Sequence, residues 1–492
     1  MLRSLSQRMP KSRRSSSYDL PSNFYDKHSL RPWWSRFLTK RILRVSVFAL
    51  LCFFAVRIFT GLSSWQDHSQ DHDGKPPLYE QYHKRELELP QHNPDLPYPE
   101  GKNGQYIWMA NHVHASGWGN VMQEHLLNAH LAYMSNRALV FNNYTWNRNG
   151  SDYSDFNGHL IPSRIPLAAL IRGPAAGGPF PPGDPAPRAV VKEYFDQVCP
   201  PSERHVMMSD EVTNAWEENI HAGMVLDAWV EKLKHLPRCV EINEASAQIF
   251  SIWIFGSKRA LGIWQSLKNS PILTEFRWSQ LIEDAFTANR HLFSPTSWLS
   301  WLTSLVYTPS AYPYDVIPGL LVLHVRRGDF EGHCLHFARW SSQWNGFNQF
   351  PELPDQFVPP PSAGWGEATE EGKKIYLRHC FPDIDQMVER VQEIRNTPAG
   401  QGLKNIYIMT NGKKPWVQAL KDALSKTGGW QRIVSSRDLT LNWEQQYVAQ
   451  SVDMLIGERA QVLIGNGFSS LTSNIVMMRM ARDLPPDTNR FW

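Results

Sequence analysis

Cysteine is scarce in this chain, with five in 492 residues and none at the close paired spacing of a zinc site. That excludes a zinc-stapled module. Charge of one sign is lacking too: charged residues make up 20% of the chain and the formal net charge is +3. A general nucleic-acid binder, whose affinity rests on neutralising many phosphates, is therefore excluded. No G-x-G-x-x-G run with a downstream acid is present, which argues against a dinucleotide-dependent oxidoreductase. Internal repeats are absent, and only one apolar run is long enough to cross a bilayer.

That run is Val45 to Leu62, with Arg57 near its end as the one charged side chain. A basic tail, residues 1–44, precedes it, and no small-residue cleavage pattern follows. An uncleaved single-pass anchor is expected, with the amino terminus cytosolic and the remainder lumenal, in the membrane of the Golgi or endoplasmic reticulum. Cys52 lies in this span, so four lumenal cysteines remain, Cys199, Cys239, Cys334 and Cys380, enough for two disulfides paired with nearest neighbours. Sequons at Asn143 and Asn149 agree with a lumenal setting.

Residues 63–103, rich in Asp, His, Gln and Pro, read as a stem. Two α/β units are expected after it, at 104–315 and 316–492. The first opens with a buried strand at Gln105 to Ala110, a glycine-bearing turn at Gly117 to Asn120, a helix and a strand at Ala138 to Phe141. Residues 173–187 form a Pro/Gly surface loop, and the tract from Ala189 to Ser310 reads as mostly helical. In the second unit, strands are expected at 319–325, 405–409 and 461–464, with helices near 383–395, 443–456 and 469–480.

In an open parallel sheet, ligands bind beyond the carboxyl ends of strands, and the informative motifs fall there. His324-Val325-Arg326-Arg327-Gly328-Asp329 ends one strand; adjacent arginines suit a diphosphate, because each guanidinium presents a fixed fork of donors. A structural ion pair has the same spacing. Ile464-Gly465-Asn466-Gly467-Phe468-Ser469-Ser470-Leu471-Thr472 ends another and opens a helix with hydroxyls, which describes an anion site or a simple helix cap. Asp383-Ile384-Asp385 mimics a D-x-D metal motif, but its place at a helix start favours capping carboxylates.

Together, Gly117 to Phe141, Leu323 to Phe330, Asn405 to Asn411 and Val452 to Asp483 resemble the GDP-fucose protein O-fucosyltransferases and the wider fucosyltransferase group that shares their HxRR motif. The resemblance implies an α/β fold of the GT-B type, two Rossmann-like domains facing a cleft, with the donor held mainly by the second. It implies inverting transfer of L-fucose from GDP-fucose to a protein Ser/Thr hydroxyl or, alternatively, to a glycan. A catalytically silent, membrane-tethered binding relative is the remaining alternative. Arg326 would bind the β-phosphate, with Arg327 and Asp329 supporting it and His324 in the same motif. Asn466, Ser469, Ser470 and Thr472 would line the diphosphate, Thr410, Asn411 and Asp453 the nucleoside, and Asn120 the reacting centre. Some relatives carry a catalytic Glu in that last turn; here it contains none, and Glu124 follows one helical turn later. Arg326 and a helix terminus supply the positive charge a metal would otherwise bring, so metal independence and no cofactor are expected. The span from Cys334 to Cys380 reads as an acceptor-facing lid, with Trp340, Trp344 and Phe347 as contacts, or as an aromatic plug over the core.

Overall fold

The computed structural model describes residues 74–214, 217, 219–294 and 314–492. The basic tail and the anchor expected at 45–62 lie outside the described residues. Among the described residues no helix is long and apolar enough to cross a membrane.

Two five-stranded, all-parallel sheets organise the molecule. The first comprises β1 (Tyr106–Met109), β2 (Ala138–Phe141), β3 (Val190–Val191), β4 (His205–Met207) and β5 (Cys239–Ile242), in the order β3-β2-β1-β5-β4. The second comprises β6 (Ile317–Val325), β7 (Asn405–Thr410), β8 (Arg432–Ser435), β9 (Ala460–Gly465) and β10 (Asn489–Phe491), in the order β8-β7-β6-β9-β10. Central β6 is buried on both faces apart from Pro318. Its near-continuous apolar run follows from that double coverage. The chain adds strands on one side of β6, then crosses to the other with β9, which opens a crevice at the carboxyl ends of β6 and β9.

The principal helices are α1 (Glu80–Leu87), α2 (Trp118–Met134), α3 (Ala222–Lys234), α4 (Gln280–Phe293), α5 (Phe330–Arg339), α6 (Glu370–Cys380), α7 (Ile384–Arg395), α8 (Lys414–Lys426), α9 (Ala449–Glu458) and α10 (Ser470–Ala481). Most of α2 and α10 is buried around its whole circumference. These two helices pack against each other between the sheets, which is why neither carries a clean polar face. Both expected disulfides form, Cys199–Cys239 and Cys334–Cys380. Asp383 caps α7, its carboxylate accepting from Gln386 N at 2.9 Å while Gln386 Oε1 accepts from Asp383 N at 3.1 Å.

Three expectations are corrected. Residues 74–103 are not a free stem but a strap folded onto both halves. Tyr79, Tyr82, Glu86 and Gln91 are buried; Tyr79 Oη donates to Glu444 O at 2.7 Å, and Gln91 Nε2 donates to Ala189 O at 2.7 Å. The tract after Ala189 supplies three strands of the first sheet, β3 and β4 too short to show a period in the sequence and β5 interrupted by Glu241. Helix α4, assigned to the first unit, instead covers the second sheet: Asn289 pairs with both backbone groups of Thr440 at 2.8 Å, and Asn405 donates to Phe293 O at 3.1 Å.

Candidate active site

Parallel pairing of β6 with β9 sets Leu323 opposite Ile464, so the loops leaving both strands emerge together. His324 Nδ1 lies 2.7 Å from Thr472 Oγ1, tying the end of β6 to the first turn of α10. Burial, with Arg326 nearby, pushes the His324 imidazole down to about 3, and it is neutral at physiological pH. Thr472 Oγ1 also accepts from Asn466 N at 3.2 Å. Asn466 is fully buried, its amide donating to Cys380 O at 2.7 Å and accepting from Phe468 N at 3.0 Å. Thr472 and Asn466 were expected to touch a diphosphate; the fold instead uses both to shape the turn, and neither is free to meet a ligand. Ser469 and Ser470 are different. Among the described residues neither hydroxyl is engaged by a protein partner, and both stand at the amino terminus of α10, where free amides and the helix dipole favour an anion.

The adjacent arginines diverge, as neighbours leaving a strand do. Arg327 is buried, its guanidinium 4.2 Å from the ring centroids of both Phe381 and Trp416 and donating to Pro382 O. Burial lowers it to about 10. It braces the loop from behind. Arg326 lies 4.5 Å over the Phe330 ring, and among the described residues its guanidinium donates to no protein acceptor. Burial pushes its pKa down, opposed by the nearby Asp329 carboxylate. Asp329 is exposed, 3.9 Å from His333. Gly328 takes the left-handed φ of 71° that the tight turn requires.

Asn411 clamps this loop from β7: its Oδ1 accepts from Arg327 N at 2.7 Å and its Nδ2 donates to Arg327 O at 2.9 Å. Thr410 Oγ1 accepts from Gly412 N at 3.0 Å. Asp453, midway along α9, accepts from Tyr407 Oη at 2.5 Å and from Ser436 Oγ at 3.0 Å. Burial raises its carboxyl to about 7. The structure brings Thr410, Asn411 and Asp453 to the same edge as Arg326, held by protein bonds.

From the first sheet, α2 begins at Trp118, so the expected turn is already its first helical turn. Gly119 meets α10 directly: a Cβ there would lie 2.7 Å from both Leu471 N and Ser470 Oγ. Asn474 Nδ2 donates to Gly119 O at 2.7 Å, locking the approach. Asn120 sits beside this contact with its amide donating to Ser116 Oγ at 2.9 Å. Glu124 points the other way, into the first unit, where its Oε2 accepts from Val113 N at 2.8 Å. Burial raises it to about 7. It holds the β1 loop and does not reach the cleft.

No family model and no curated protein matches this chain. Solved structures do. The chain is similar to POFUT1 in complex with GDP, at 15% identity and a TM-score of 0.46, over 79% of this chain and 98% of that one. It is similar to POFUT1 in complex with GDP-fucose, at 14% identity and a TM-score of 0.40, over 78% and 97%. A mutant of Arabidopsis thaliana FUT1 in complex with GDP follows, at 11% identity and a TM-score of 0.32, over 81% and 73%.

Sequence reasoning missed the supporting residues. Ser436 and Tyr407, which fix Asp453, carry no motif. Asn474 and Asn348 were visible only as polar residues in apolar surroundings; Asn348 Nδ2 donates to Gly467 O at 2.9 Å. The lid reading is revised as well. Trp344 and Phe347 are buried, Trp344 packing on Phe491 at 4.4 Å and Phe347 on Trp264 at 5.8 Å, so this stretch plugs the core. Only Trp340 is exposed, against Trp365 at 4.9 Å.

Proposed function

We propose that this chain is an inverting fucosyltransferase that moves L-fucose from GDP-fucose to an acceptor hydroxyl, without a metal, on the lumenal side of the Golgi or endoplasmic reticulum membrane. One observation carries the reading. The strand end that carries Arg326, whose guanidinium has no protein acceptor among the described residues, is tied through His324 to Thr472 in the hydroxyl-lined first turn of α10, and α2 packs against that same helix. A catalytically silent relative would have no use for such uncommitted donors.

In this mechanism Arg326 and the α10 terminus, with Ser469 and Ser470, take the charge that develops on the departing diphosphate. The contact between Gly119 and α10 sets the acceptor side at a fixed distance from the donor side. Asn120 orients the acceptor hydroxyl; an amide cannot take its proton, so as the bond from the acceptor oxygen to fucose forms and the bond to the β-phosphate breaks, the proton passes to the departing diphosphate. The resemblance in sequence favours a protein Ser/Thr hydroxyl, with a glycan hydroxyl as the alternative.

Incubation with a panel of nucleotide sugars is the direct test. GDP release from GDP-fucose by the wild type, lost in Arg326→Ala and unaffected by EDTA, is expected. Turnover of a different nucleotide sugar would overturn the donor assignment, and activity removed by EDTA and restored by manganese would overturn metal independence.

A further inference from the structure

Beyond β1, the loop His112 to Ser116 runs along a groove of about 560 Å³ whose other wall is the hairpin Tyr153–Phe156/His159–Pro162 and the stretch leading to it. The hairpin closes through Asn157 and Gly158, both at positive φ, with Asp155 Oδ1 accepting from Gly158 N at 3.2 Å. It is anchored below by Ser154 Oγ to Ser163 Oγ at 2.7 Å and by Trp146 N donating to Ser163 O at 2.7 Å. This is an open surface depression of the size that small-ligand sites have.

Its lining is chemically mixed. Trp146 presents a half-buried indole, steadied by Phe156 edge-on at 4.9 Å. Around it stand the imidazole of His114, the phenol of Tyr153, the carboxylate of Asp155 and, at the exposed rim, the amide of Asn149 from the second sequon. Among the described residues the side chains of His114 and Tyr153 have no hydrogen-bond partner. Positive charge is already used: Arg148 donates to Glu244 Oε1 at 2.8 Å and to His112 O at 2.7 Å. An anion therefore finds no free cation here, and an apolar helix finds too many polar groups. Carbohydrate fits both features, since an aromatic face covers the C–H side of a pyranose while planar polar groups bond its hydroxyls.

Position links the groove to the crevice. His114 and Ala115 line it, and the next residue, Ser116, accepts from the Asn120 amide. Tyr144 Oη donates to Ser116 O at 3.1 Å and Ala115 N donates to Thr145 O at 3.1 Å, which fixes the carboxyl end of the loop, and Val113 N donating to Glu124 Oε2 at 2.8 Å holds its start. We infer that this groove is an acceptor subsite for a carbohydrate, which holds a sugar ring beside the hydroxyl that Asn120 orients. The inference rests on the transferase reading for its consequence and on the groove alone for binding.

The test separates the two. Saturation-transfer NMR of the full-length protein, with oligomers of mannose, galactose and N-acetylglucosamine and with an unglycosylated Ser/Thr-rich peptide as probes, reads binding without any donor. Calorimetry with GDP reads the donor site independently. At least one sugar series is expected to show transfer, reduced at least tenfold in affinity by Trp146→Ala and by the fold-neutral pair Tyr153→Phe and His114→Ala, with GDP affinity unchanged. Sugar binding that survives all three substitutions, or transfer to the bare peptide alone, overturns the subsite. Loss of GDP binding in the wild type with the sugar signals intact overturns the transferase reading and leaves the subsite standing.

Discussion

Adjacent Arg326 and Arg327 show how one residue step separates binding from support. A strand alternates its side chains, so two successive arginines leaving β6 cannot serve the same face. Arg327 fills a slot between Phe381 and Trp416. Its removal to Ala deletes two partly desolvated cation–π contacts and orphans Pro382 O, a loss of about 2–4 kcal/mol. Arg326 is desolvated without a compensating acceptor, so Arg326→Ala is expected to leave the thermal midpoint within error or raise it, while turnover of GDP-fucose falls at least a hundredfold. Equal destabilisation by the two substitutions would show that both are structural. Thr472→Val belongs at this scale too: it keeps the shape but deprives His324 and Asn466 N of their shared partner. A loss of roughly 2 kcal/mol in urea denaturation, with weaker GDP binding, is expected. The sequence shows two arginines and three hydroxyls; which of them is free depends on contacts from Pro382, Trp416 and His324 that no local spacing encodes.

Among the elements, those legible in the sequence are those with a continuous apolar run or a sustained helical period. Strands β1, β6, β7 and β9 and helices α7 and α10 lie within a few residues of their expected bounds. Strands β3 and β4 were missed because two or three residues show no period, and β5 because Glu241 interrupts its apolar run. The hairpin at 153–162 was missed although Asn157-Gly158 is the standard signal for its turn. The start of α2 was misplaced because its N-cap, Gly117, has no side chain to mark it. The contact of α2 with α10 is where element packing becomes function. Any Cβ at residue 119 strikes backbone atoms of Ser470 and Leu471, which cannot rotate away. Gly119→Ala is therefore expected to force the two helices apart by a few tenths of an ångström or more, costing about 1–3 kcal/mol and at least tenfold in turnover, with GDP affinity nearly kept. A wild-type turnover in this variant, at normal yield, would show that the helices do not set the distance between the two sides.

For the whole molecule, the strap at 74–103 and helix α4 bind the two sheets into one unit, and buried titratable groups distributed through that unit set its response to pH. Burial lowers His112, His125, His130 and His324 to between about 3 and about 4. For each, the unfolded chain takes up the proton first, so stability is lost as pH falls below the ordinary histidine value of about 6.5. Glu124 and Asp453 work in the opposite sense. Both are raised to about 7, so the folded state holds the proton longer and stability is lost as pH rises from the ordinary carboxyl range to about 7. Each group contributes a slope of about 1.4 kcal/mol per pH unit within its window. Four histidines outweigh two carboxyls below pH 6.5, and only the carboxyls act between there and pH 7. The thermal midpoint is thus expected to peak near pH 6.5, fall steeply on the acid side and dip gently on the other. Glu124→Gln keeps the Val113 contact while removing one titration, so its midpoint should exceed that of the wild type at pH 7.5 relative to pH 5. A scan of both proteins from pH 4 to 8 decides the matter: parallel curves would mean that the Glu124 carboxyl ionises without cost, and that water reaches it beneath the β1 loop.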